Sequence, residues 1–89
     1  MIRYRARTGL LTECSGDELV VLDVPARQVH ELNATAAWLW KLLERPRGAR
    51  ELADALCHYY TVDTETARKD VETILEELVE LGLAYKDEH

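Results

Sequence analysis

The hydrophobic pattern of this chain changes period at Asn33, and that change dictates a sheet followed by helices. Ahead of it, Ile2, Tyr4, Ala6 and Thr8 alternate with Arg3, Arg5 and Arg7, the period of a half-buried strand. Gly9 breaks the alternation and marks a bulge or bend. Ser15-Gly16-Asp17 is a turn signal, and Glu18 to Val24 reads as a second strand. Its Leu19-Val20-Val21-Leu22 run is apolar on both faces, as in a central strand or a sheet packed above and below. Pro25-Ala26-Arg27 turns the chain into a short third strand, Gln28 to Leu32.

Beyond Asn33 the period is helical. Asn33 caps a first helix over about residues 34–43, with Leu32 and Ala37 as a hydrophobic staple. Pro46 and Gly48 end it. A second helix, about 49–60, carries Ala49, Leu52, Ala53, Leu56 and Tyr60 on one stripe. Asp63 caps the third helix, Val62 and Ala67 staple it, and Ala67, Val71, Ile74, Leu75 and Leu78 form its inner face. Gly82 stands where a C′ glycine belongs, with Leu83 reaching back to Leu78. Ala84-Tyr85-Lys86 reads as a short terminal strand and Asp87-Glu88-His89 as a frayed end. Strands first and helices after predict one α+β domain over residues 1–89. Its layout is an N-terminal sheet of these strands followed by three helices, close to a winged helix-turn-helix.

The net charge of −6 narrows the partners. Binding to phosphate backbones rests on Lys and Arg, so the balance argues against nucleic acid, and equally against anionic membranes. Basic or neutral peptides fit it better. No apolar run approaches the ~20 residues of a membrane-spanning helix, and Met1 to Arg7 leads into no apolar signal segment. Cys14 and Cys57 form no metal-ligand spacing; two reduced thiols in a cytoplasmic protein is the simpler reading, a single disulfide the other.

Catalytic chemistry has no supporting constellation. Cys57 and His58 are adjacent on a helix and point about 100° apart, unlike a nucleophile–base pair. His30 has no metal-ligand companions in sequence, and no cofactor motif occurs. Neither a metal nor a cofactor is therefore expected. Arg3, Arg5 and Arg7 form a basic stripe, read first as a solvated face, with a contact to nucleic acid or to acidic partner residues as the alternative. Trp38 and Trp40 lie about 200° apart around the first helix, so one ring cannot share the other's direction. Trp40 falls with Ala36, Ala37 and Leu43 and is expected in the core. Trp38 either caps a secondary cluster with Leu42 or is a partner contact.

An ordered series of residues resembles a known family. It runs Val21-Leu22-Asp23, Val29-His30-Glu31-Leu32-Asn33, Thr35-Ala36, Leu39-Trp40, Glu51-Leu52, Leu56 and Tyr60. It continues through Val62-Asp63, Asp70-Val71, Leu75, Leu78 and Gly82-Leu83. Together these resemble the PqqD family, also called the RiPP recognition element, over about residues 18–84. Val24-Pro25-Ala26-Arg27 and Glu44-Arg45-Pro46 depart from the pyrroloquinoline quinone pathway's own member. The chain is more similar to stand-alone recognition proteins of other peptide systems, lasso peptides among them.

The resemblance implies a winged-helix-like α+β domain, an N-terminal three-stranded antiparallel sheet followed by three helices, that binds the leader segment of a ribosomally made precursor peptide. It would present that precursor to a radical S-adenosylmethionine maturase or a leader peptidase, as a monomer or weak homodimer. The peptide would add as a strand to Gln28, Val29, His30 and Glu31. Arg68, Glu72, Leu75, Glu76 and Val79 of the third helix would wall the groove, and Trp38 would meet the enzyme. Two rivals remain: an adaptor subunit without a groove, and a DNA-binding winged helix. The second suits the third helix poorly, since Glu65, Asp70, Glu72, Glu76, Glu77 and Glu80 face only Arg68 and Lys69 in charge.

Overall fold

The computed structural model describes residues 1–88. Its elements run β1 (Ile2–Ala6), β2 (Leu11–Ser15), β3 (Glu18–Asp23), β4 (Gln28–Leu32), α1 (Ala34–Leu42), α2 (Ala49–Tyr59), α3 (Thr64–Glu80) and β5 (Ala84–Glu88). The α+β class, the three-stranded antiparallel sheet and the three helices match the expectation, but the sheet has a different membership. It is ordered β2-β3-β4, with β1 outside it and paired to β5. β2 was not foreseen. Its five residues are all exposed, so no alternation marks it, and backbone pairing to β3 holds it in place.

Local chemistry explains the joints. Gly16, at φ +64°, opens the two-residue turn between β2 and β3 and supplies the positive φ that such hairpins need. Arg27 takes φ +56° where the chain turns into β4, and its N–H donates to the Val24 carbonyl at 3.1 Å. The Asn33 side chain accepts from the Ala36 N–H at 2.9 Å, and that of Asp63 from the Thr66 N–H at 2.7 Å. At the other end of α3 the N–H of Gly82 donates to the Val79 carbonyl, and that of Leu83 to the Leu78 carbonyl. That pair of bonds is the Schellman closure expected from Gly82.

The core joins Leu19 and Val21 of β3 and Leu32 of β4 to Leu39 and Leu43. Leu52, Leu56, Val71, Leu75 and Leu78 of the two longer helices complete it. β3 is central, as predicted. One of its faces, Leu19, Val21 and Asp23, is fully buried, whereas Val20 and Leu22 on the other are half-buried. The inner face of α3 holds as read, with Ile74 half-buried at its border. Trp40 packs against the core, as expected, but at its border. Leu39 is the fully buried residue, while Trp40 is half-buried and reaches across the domain so that its indole N–H donates to the Leu83 carbonyl at 2.8 Å.

The β1–β5 ribbon is tied to the helices by its backbone. Tyr4 exchanges both its bonds with Arg47, and the Ala6 N–H donates to the Leu43 carbonyl. The expected frayed end does not hold for Asp87 and Glu88: both belong to β5, and Asp87 accepts from Arg5 Nε at 3.0 Å. His89 lies outside the described residues.

Candidate functional site

Among the described residues β4 pairs with β3 on one side only, so its other edge offers N–H and C=O groups without a strand partner. Side chains alternate along it. Leu32 is buried and His30 half-buried on the inner face, with Gln28 at the exposed end; Val29, 63 % exposed, and Glu31 lie on the outer face. The inner face is chemically mixed. His30 stands opposite Val21, and its Nε2 is buried without a hydrogen-bond partner. Two residues along β3 lies Asp23, only 4 % exposed.

Asp23 is held by Arg7, whose Nη1 donates to its carboxylate at 2.6 Å and lies 3.4 Å from the Gly82 carbonyl. That hydrogen bond keeps the Asp23 carboxyl below its usual range. Burial opposes it, and the Ala26 N–H, the Arg7 charge and His30 assist it. Arg7 thereby links the loop after β1, the end of β3 and the end of α3 at the same end of the sheet as Gln28. Sequence reading placed Arg7 in a solvated basic stripe. The signal it lacked was a partner, since Asp23 is distant in sequence and both must be seen together.

The predicted wall divides. Leu75 is 1 % exposed and belongs to the core, so its place under the helix removes it from any groove surface. Glu72, Glu76 and Val79 line two hollows whose other walls are Ile2, Tyr4, Ala49, Glu80 and Lys86, and no β4 residue takes part. That flank of α3 therefore faces the ribbon and the start of α2. Arg68 is exposed on the same flank, 40° of helical rotation from Glu72. The flank turned the other way carries Asp70, Ile74, Glu77 and Leu81, the last 44 % exposed. Sequence alone does not choose between the flanks: both border the same apolar stripe, and only the position of α2 and the ribbon distinguishes them.

Trp38 sits half-buried on α1 against two rings distant from it in sequence. Tyr59 lies at 5.2 Å and Tyr60 at 5.8 Å between centroids, the latter edge-on. Tyr59 is 72 % exposed, so the cluster presents an aromatic surface. Cys14 is exposed and Cys57 half-buried, both as free thiols.

With this geometry in place, comparison with known proteins is direct. A family model described as coenzyme PQQ synthesis protein D (PqqD) matches residues 18–84. A solved chain of TbiB1 in complex with the TbiA(beta) leader peptide is 28% identical with a TM-score of 0.78; the match covers 90% of this chain and 93% of that one. Lasso peptide synthetase B1 complexed with the leader peptide is 26% identical with a TM-score of 0.78, covering 92% and 96%. No curated protein matches the sequence.

Proposed function

The chain belongs to the PqqD family, and from that membership we propose that it binds the leader segment of a ribosomally made precursor peptide as a strand added to β4. The observation that carries this reading is an unpaired β4 edge in a chain that matches two leader-bound chains over nine-tenths of its length. Strand addition satisfies the exposed main-chain groups of both partners, and pockets for alternate side chains then select the sequence. Gln28, Val29, His30 and Glu31 supply the edge. Asp70, Ile74, Glu77 and Leu81, on the α3 flank turned away from the ribbon, supply the facing wall. The sheet's second edge, β2, is a poorer site, because both its faces are bare and an added strand would bury few side chains there.

The chain acts as a carrier without catalysis. It presents the bound precursor to a separate maturase or leader peptidase of the same pathway. Fluorescence polarisation with a labelled leader from the precursor encoded beside this chain tests the proposal. Saturable binding with Kd below ~100 μM, about −5.5 kcal/mol, is expected. A flat titration to that concentration rejects it.

A further inference from the structure

A groove lies on the flank of α3 that faces the β1–β5 ribbon. Its two hollows, of about 340 and 280 Å³, share Tyr4 and Glu76 and so form one trough between α3 and the β1–β5 ribbon. The apolar lining is Ile2, Tyr4, Ala49 and Val79, with Ile2 itself 45 % exposed. We propose that this trough docks a Lys- or Arg-bearing amphipathic segment of a protein partner, separate from the leader on β4.

The charge along the rim names the occupant. Glu72, Glu76 and Glu80 follow one another at four-residue spacing and extend along the trough for about 12 Å of helix. None of the three has an ion-pair partner among the described residues. Like charges at this spacing disfavour a helix. Negative charge near a helix C-terminus disfavours it again, and the last turn of α3 has no basic residue to offset Glu80. The one cation in the lining, Lys86, is 3.8 Å from Glu88. A cationic partner would relieve the repulsion among the three, which Arg68, four residues before Glu72, offsets only at the first of them.

The apolar floor selects an amphipathic segment over a free cation. Long basic side chains lay their alkyl stems on apolar surface and keep their charged ends at the rim. Apolar anchors at helical spacing would fill the hollows between them. Nucleic acid and anionic lipid are repelled by the same carboxylates. The proposal requires only that the leader leave this trough free, and the two flanks of α3 face opposite ways.

The test uses NMR amide shifts of the full chain with a short synthetic Leu/Lys amphipathic helix, and a Leu/Glu helix as control. Shifts are expected to concentrate at Tyr4, Ala49, Glu76 and Val79. Affinity is expected to fall as salt rises from about 50 to about 500 mM, because exposed charges are then screened. The triple variant Glu72→Gln, Glu76→Gln, Glu80→Gln keeps good helix formers, and circular dichroism checks its fold. It is expected to weaken the Leu/Lys peptide roughly tenfold and to leave leader affinity on β4 within about twofold. Shifts spread evenly over the acidic surface, equal binding of the Leu/Glu control, or undiminished binding by the triple variant would overturn the proposal. So would leader-induced shifts centred on the trough, or a dimer in sedimentation that buries it. Failure of leader binding alone would reject the β4 reading and leave this result intact.

Discussion

Leu75→Ala separates core from groove more sharply than any other substitution. Leu75 is 1 % exposed among the buried residues of α3. The change deletes three carbon atoms, worth about 2.4 kcal/mol of transfer free energy at ~0.8 kcal/mol each. The cavity left behind adds to that, and buried Leu→Ala changes cost about 2–5 kcal/mol in all. A domain of this size has a total stability of about 5–13 kcal/mol, so a central value near 3 kcal/mol is a large share. At about 4–8 °C per kcal/mol the melting temperature should fall by roughly 12–24 °C. Urea unfolding followed by circular dichroism gives the free energy. Leader titration at low temperature, where the variant is still folded, gives the affinity, expected within about threefold of the parent. A stability loss under about 1 kcal/mol, or lost affinity at unchanged stability, would refute the placement of Leu75 in the core.

Two further predictions concern the anchors of the fold. Trp40→Phe removes the donor to the Leu83 carbonyl and should cost about 1 kcal/mol in denaturant unfolding; Trp38→Phe, which loses no such bond, should cost less. Acid should destabilise the domain through two carboxylates whose folded pKa values are depressed: Asp23 by the hydrogen bond from Arg7, and Asp63 by hydrogen bonds from Thr66. Their contribution is fully present above the unfolded value near ~3.9 and is lost as pH falls through the lower folded values. Unfolding midpoints should therefore be level from about pH 7 to pH 5 and drop below about pH 4. In Asp23→Asn the midpoint should already be lower at neutral pH, with a shallower acid limb.

What the sequence made legible was whatever short-range chemistry determines. Asn33 and Asp63 announce their helices because a cap needs only its own first turn. Gly82 with Leu83 announces the end of α3 for the same reason. The apolar Leu19–Leu22 run predicted a central strand because both its sides are at least half covered. β2 was hidden because its residues touch no core and follow its partner's pairing alone. β1 showed its period but not its partner, since β5 lies at the other end of the chain. The β4 edge came from the family resemblance, and neither that nor the strand pattern orients α3. Glu72 and Asp70 straddle one apolar stripe, and only the packing of α2 and the ribbon decides which side is free. The Arg7–Asp23 pair and the Tyr59 and Tyr60 rings around Trp38 escaped for a related reason: each joins residues whose proximity is a product of the fold.

Hydrogen exchange of the β4 amides, with and without leader peptide, tests strand addition most directly. In the free chain, alternate N–H groups between Gln28 and Leu32 point away from β3 and should exchange quickly. Saturation with leader should protect those alternate amides and leave the already paired ones little changed. Protection that appears on β2 instead, or none on β4 at saturating leader, would contradict the account.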